Sequence, residues 1–397
     1  MARKLIIPDG VPSDPGGQPD TRRGKALELG FFAWNIRGGM TMSKATLRNN
    51  DRERDYWKWS NSRHLIEHAE RIGYDYQVPF ARWIGSGGDT DFNGASLDFL
   101  TTAAATAPIT ENMGVFSTCH ITFRFHPLHI AKIGASIDHI SNGRWGLNIV
   151  TGYQAQEMAA FGMEHIDHDL AYDMAEEFTV LLKHLWTEPE PFDFEGKFYQ
   201  SYGAVVKPGP TRSPRPVLMN AGMSDKGVLF GARNVDWLFT IGYSIDEYRA
   251  KVDRAHSLAA SFGRSIRAAT MCWVLPEATD ELAAEKFEEL RAEIDREAML
   301  GYARQLKGME LFKDNDEDSL NNDPYAGLGK EIYEGYPLGF TSPQLVGSPE
   351  TIAEKLRELN QDGGIESVLT CFVDPQKGLH AMQDDIMPIL DKMGLRG

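Results

Sequence analysis

The chain has 397 residues, 42% hydrophobic and 25% charged, with a formal net charge of −16. This is enough for one large α/β barrel or two ordinary domains, and the acidic balance speaks against nucleic acid or an anionic membrane as partner. No apolar run approaches the ~18–20 residues that span a bilayer, and the N-terminus lacks the apolar core of a secretory signal. Three separated cysteines (Cys119, Cys272, Cys371) show no CxxC spacing, which points to reduced thiols, a cytoplasmic setting and no structural zinc.

Residues 1–25 are broken by Pro and Gly, with little apolar content after Ile7. They read as a flexible arm, free to lie on a partner subunit. A first strand is expected over 27–34, then a Gly-rich loop over 35–50. Loops of that length are usually functional. A helix over 56–72 places Leu65, Ile66, Ala69 and Ile72 on one face, and a strand follows over 74–78. The alternation continues with helix 97–106, strand 113–119, helix 126–140 and strand 144–150. After helix 172–186 come strand 217–221, helix 224–233, strand 236–241, helix 245–262 and strand 268–275. Helix 348–360 has Ser348 as cap and Pro349 at its first position. Strand 365–373 and helix 378–393 end the chain.

Eight strands alternating with helices favour a closed TIM (β/α)8 barrel over an open sheet. We expect one α/β domain over 26–397, with insertions at the carboxyl ends of the strands. The first, 192–214, is Pro- and Gly-rich and suits a hairpin. The second, 278–345, is acidic, with Asn and Asp crowded over 313–323. It suits one or two extra helices and a mobile loop over the barrel mouth.

The stretch 137–157 organises the rest. Ser141-Asn142-Gly143 stops a helix, a dense apolar run follows, and Thr151-Gly152-Tyr153-Gln154 comes directly after it. Asn148 is the polar residue inside that run. It reads equally as a core amide bonded to backbone or as a group aimed at a ligand from a strand tip. The predicted strand tips are Asn35, Arg37, 78–83, 118–120, 148–153, 220–224 and Gly242. They are rich in amides, hydroxyls and aromatics and hold no carboxylate pair, so glycoside hydrolysis is unsupported. His120, His126 and His129 lack acidic companions at metal-ligand spacing, so ordinary loop and core histidines are favoured and no metal site is expected. Thr118 alone reads as a packing residue. Asn220-Ala-Gly-Met-Ser-Asp-Lys226 opens a helix and suits either a phosphate or a plain Ser224 cap. No nucleophile-elbow, Walker or dinucleotide motif is present.

Four segments carry a family resemblance: 136–153 (Ser-Ile-Asp-His-Ile-Ser-Asn-Gly-Arg-Trp-Gly-Leu-Asn-Ile-Val-Thr-Gly-Tyr), Phe194-Glu-Gly-Lys-Phe-Tyr199, Asn220-Ala-Gly-Met-Ser224 and Val346-Gly-Ser-Pro-Glu-Thr-Ile-Ala-Glu-Lys355. The chain resembles the bacterial-luciferase-like, two-component flavin monooxygenases over about 26–393. It looks most like the pyrimidine (uracil) ring-opening enzymes, with alkylsulfone and alkanesulfonate monooxygenases more distant. The resemblance implies a barrel that binds FMN as FMNH2, delivered by a separate NAD(P)H:flavin reductase. It implies attack by O2, through a flavin peroxide, on a small nitrogen heterocycle. Ala81, Arg82, Asn148, Glu157, Tyr172 and Ser224 match flavin contacts. Thr118 and Asn148 match the pair that positions dioxygen, with Val78 beside them. Phe80, Trp83, Phe123 and Tyr153 suit aromatic walls that keep the pocket dry. Ala171 stands where the pyrimidine enzymes carry Arg, leaving Lys226 or Arg82 to replace a phosphate contact. The segments 77–80 and 123–125 also depart from the relatives, so the substrate need not be uracil. A homodimer or homotetramer is compatible. The rival readings are an organosulfur oxygenase of the same family, for which Arg37, Arg82 and Arg124 are available, a deazaflavin-dependent dehydrogenase, and a non-catalytic flavin-binding barrel.

Overall fold

The computed structural model describes residues 3–6, 12–48, 55–80, 82–152, 154–306 and 343–396. Twelve strands are described. β1 is Arg3–Leu5, β2 Glu28–Phe32, β3 Tyr76–Val78, β4 Gly114–His120, β5 Trp145–Val150 and β6 Phe192–Glu195. β7 is Gln200–Ala204, β8 Val217–Asn220, β9 Trp237–Phe239, β10 Arg267–Pro276, β11 Gln344–Gly347 and β12 Ser367–Phe372. The described helices are α1 (Trp59–Arg71), α2 (Phe99–Thr106), α3 (Pro127–Ile140), α4 (Ala155–Ala160), α5 (His168–Thr187), α6 (Asp225–Asn234), α7 (Ile245–Ser261), α8 (Asp280–Ala292), α9 (Arg296–Leu306), α10 (Pro349–Arg357), α11 (Pro375–Ala381) and α12 (Met387–Lys392).

The order β2-β3-β4-β5-β8-β9-β10-β12 returns to β2 through parallel pairing at every step. It is the eight-stranded closed parallel barrel expected, with β11 added outside it on β10. Alternation along each strand sorts the side chains. On β4, Val115 and Cys119 pack outward under α2, α3 and α5. Phe116 points into the lumen with Tyr76, Val217, Trp237 and Leu369. Tyr76 lies 5.7 Å from both Phe116 and Trp237, ring to ring, so the lumen has an aromatic floor. Two glycines make room for it. A Cβ on Gly30 would meet the Tyr76 ring at 2.5 Å, and one on Gly146 would meet Phe116 at 2.5 Å.

Several boundaries differ from expectation for visible reasons. Helix α5 begins at His168 rather than 172, because Asp167 accepts from the Asp169 and Leu170 N–H groups and caps it earlier. The single helix expected over 378–393 is α11, a wide turn over Met382–Ile386, and α12. Pro388, which has no N–H to give, sits where the second piece starts. The hairpin β6–β7 forms as expected. It follows α5 and leads into β8, so it lies on the helix-to-strand side of the barrel, not at the carboxyl ends. The second insertion does follow the carboxyl end of β10 and contains α8 and α9; the crowded 313–323 segment lies outside the described residues.

The described part of the N-terminal arm lies against the barrel. β1 pairs parallel with β6, and Asp14 is ion-paired to Lys183 (2.7 Å), Arg215 (2.9 Å) and Arg264. Arg215 also holds Asp236 at 2.7 Å. Lys183 and Arg215 are fully buried, so Asp14 supplies charge that the barrel wall needs. Burial and the neighbouring Arg215 push Lys183 down to about 7, against the pull of Asp14.

Candidate active site at the barrel mouth

The carboxyl ends of β4 and β5 build the centre. Thr118 and Asn148 are register partners, and the Asn148 amide donates to the Thr118 hydroxyl across 3.3 Å. Alternation from Phe116 places Thr118 on the lumenal face, and the same count from Gly146 places Asn148 there. Asn148 Oδ1 is buried with no hydrogen-bond partner. A buried acceptor left open is uncommon in a closed core and points to a missing partner. Thr118 accepts from Asn148, so its own proton is still available to donate. Val78 is buried in the lumenal cluster one strand away.

One layer above, His120 continues the lumenal face of β4. It is 4% exposed, and its Nδ1 is buried without a partner. Burial first, and the Arg82 charge second, pull its pKa down to about 3, so the imidazole is neutral. An aromatic series backs it. His120 lies 5.0 Å from Phe123, Phe123 stacks on Phe161 at 5.2 Å, and Phe161 meets Trp83 edge-on at 5.0 Å. Trp83 ends the series at the surface, 43% exposed.

The loop after β3 is clamped from two sides. The Asn35 amide accepts from Phe80 N–H (2.7 Å) and donates to Phe80 O (3.0 Å). Glu157 Oε1 accepts from the N–H groups of Trp83 (2.8 Å) and Ile84 (3.3 Å). The Arg82 guanidinium lies 3.9 Å from Glu157 Oε2. With its amide oxygen turned to Arg82, Gln154 accepts from Nη2 at 3.1 Å and donates to Glu157 at 3.3 Å. Arg82 also covers the Phe80 ring at 5.6 Å. Asn35 and Glu157 therefore shape this loop, and Arg82 is partly neutralised. Ala81 and Tyr153 lie outside the described residues.

Across the mouth, Ser224 caps α6 by accepting from Gly227 N–H at 3.1 Å. His168 Nε2 is 3.1 Å from the same hydroxyl, and His168 Nδ1 is 2.9 Å from Asp169. The Tyr172 hydroxyl, which bonds Ser224, is pushed up to about 12 by burial. Lys226 is paired with Asp173 at 2.7 Å, and Ala171 is buried. Sequence reasoning missed His168, which only the packing of α5 beside α6 brings to Ser224. It also passed over His120 as an ordinary histidine, although the alternation Phe116, Thr118, His120 carried the signal. Arg37 and Arg124 are exposed, and Arg124 donates to Gly162 O. His126 is the cap of α3 and His129 is exposed.

Comparison with known proteins agrees with this architecture. The family model described as luciferase-like monooxygenase matches residues 28–367. An FMNH(2)-dependent dimethylsulfone monooxygenase of Pseudomonas putida is 27% identical over 368 residues, 92% of this chain and 96% of that one. A pyrimidine monooxygenase RutA of Rhizobium rhizogenes is 30% identical over 327 residues, 81% of this chain and 86% of the other. The crystal structure of DmoA from Hyphomicrobium sulfonivorans superposes with a TM-score of 0.79 at 21% identity, covering 93% of this chain and 89% of that one. On the match over most of its length, the chain belongs to the luciferase-like monooxygenase family.

Proposed function

We propose that the protein is an FMNH2- and O2-dependent monooxygenase acting on a small nitrogen heterocycle, with FMNH2 supplied by a separate NAD(P)H:flavin reductase. The observation that carries this reading is the Thr118–Asn148 pair on the lumenal wall, with one acceptor open and one hydroxyl proton free. Family membership and the named activities of the relatives support the cofactor.

The residues present fit a flavin. Asn148 Oδ1 offers an unfilled acceptor, suited to a ring N–H. At the other side, the α6 N-terminus, the Ser224 and Tyr172 hydroxyls and His168 make a donor set for the phosphate. Lys226 is paired with Asp173, Arg82 lies against Glu157, and His168 is held by Ser224 and Asp169, so a replacement for the arginine that Ala171 displaces would have to exchange one of these partners for the phosphate. Arg82 stands on the opposite side of the mouth, on the loop that Glu157 holds in place. When bound, FMNH2 supplies the two electrons that reduce O2, one atom of which passes to the substrate.

The chain's own contribution is positioning and dryness. Thr118 donates toward the reacting oxygen while Asn148 holds the hydroxyl rotor by donating to it. A bond from such a donor to a charged oxygen contributes about 1.5–3 kcal/mol. Phe80, Phe123, Phe161 and Trp83 exclude water from one side, and Val78 keeps the lumen below apolar.

The dimethylsulfone relative, which spans more of this chain than the pyrimidine enzyme does, favours organosulfur oxidation as a second reading. One experiment addresses both. Protein, flavin reductase, NADH and FMN are supplied with 18O2 and with uracil, other heterocycles or dimethylsulfone. Label in a heterocycle product supports the first reading, label only in a sulfur product the second. No label in any product contradicts both.

A further inference from the structure

The lumenal wall above Thr118 and Asn148 holds a polar group that the flavin and oxygen roles leave unused. His120 is nearly closed to solvent, its Nδ1 has no partner, and its ring is fixed against Phe123. Phe123 is itself 2% exposed and stacked on Phe161, so the imidazole sits against a buried aromatic backing. In register, His120 faces Val150, one layer above the Thr118–Asn148 pair. The open Asn148 Oδ1 and the open His120 Nδ1 therefore mark two successive levels of one wall. Two buried polar atoms without partners on adjoining levels imply partners that come from outside the chain.

The wall also says what kind of molecule suits the upper level. On the lumenal faces of β4 and β5 above the floor, the polar side chains are Thr118, His120 and Asn148, all without charge, beside Val150. The nearest cation, Arg82, lies against Glu157 and Gln154. Among the described residues of β4 and β5 a sulfonate would meet no cationic side chain at this level, and an isolated anion in such a place loses its hydration without return. An uncharged ring with a hydrogen-bonding edge would lose only one water bond and regain it at the imidazole.

We propose that His120 is the residue that recognises the substrate, hydrogen-bonding as a neutral imidazole to the polar edge of an uncharged heterocycle held above the Thr118–Asn148 pair. The inference rests on the flavin-monooxygenase reading and adds that the ring is uncharged and which residue selects it. His120 is not part of the oxygen-positioning pair, so its removal acts on substrate affinity and leaves flavin affinity intact.

The test uses the full-length protein loaded anaerobically with FMNH2 and titrated calorimetrically with uracil, thymine, 2-hydroxypyridine and methanesulfonate. At least one ring should bind and methanesulfonate should not. His120→Phe keeps the ring contact with Phe123 and should weaken ring binding by tenfold or more. His120→Gln restores a hydrogen-bonding group and should return affinity to within about threefold of the parent. FMNH2 affinity, measured separately, should stay within about twofold in both variants, which also shows that they are folded. Binding of methanesulfonate in preference to every ring overturns the inference, as does ring binding unchanged by His120→Phe. No ring binding to an FMNH2-loaded protein overturns it too, while leaving the flavin reading standing. Failure of the parent to take up FMNH2 removes the flavin reading itself.

Discussion

Thr118 makes the sharpest residue-level prediction. Thr118→Ala deletes the free donor without touching the Ser224 side of the mouth. Product formation should fall by about 10- to 150-fold, the equivalent of 1.5–3 kcal/mol, while anaerobic FMNH2 binding changes little. Rapid mixing with O2 beside an anaerobic titration separates the two effects; equal losses in both would contradict the assignment. His120 gives a second. Its native pKa is about 3, below the ~6.5 of a free histidine. As pH falls below about 6.5 the unfolded chain takes up a proton that the native site refuses until about 3, so this group makes the fold less stable across that window. Imidazole 15N shifts of His120 should stay those of the neutral ring from pH 8 to pH 5. A titration near 6.5 would contradict the buried placement. Asn148 was legible in the sequence as an amide in an apolar run. The partner relation of His168 to Ser224 was not, because 56 residues separate them and only helix packing joins them.

Elements were legible where local chemistry sets them. Short apolar runs gave the barrel strands, and Ser348, Ser224 and the Ser141-Asn142-Gly143 stop marked helix ends that the structure keeps. What escaped was the N-terminal arm. Asp14 shows nothing locally; its meaning depends on Lys183, Arg215 and Arg264, three cations far apart in the chain that converge on it. Asp14→Ala leaves those buried charges short of a partner, and breaking a buried pair in this way costs about 3–5 kcal/mol. Urea unfolding should show a loss of that size, since Lys183 can shed only part of the cost by losing its proton. A loss below about 1 kcal/mol would mean that the arm is not a structural part of the barrel.

At the scale of the molecule, the closed ring of parallel strands gathers residues from β4, β5, β8 and the loop after β3 at one end. The alternation of strands and helices made that ring readable from sequence. Which side each insertion takes was less readable, because the hairpin of β6 and β7 is placed by connectivity and by its pairing with β1, not by composition. If the gathered end holds flavin, FMNH2 at 100 times its dissociation constant should stabilise the fold by about 2.7 kcal/mol, seen as a rise in Tm under anaerobic conditions. The most direct test of the account is an anaerobic FMNH2 titration of the native protein beside Asn148→Trp, which fills the lumen above its aromatic floor. The account predicts uptake of one FMNH2 per chain by the native protein and none by the folded variant. No uptake by the native protein, or equal uptake by both, would contradict it.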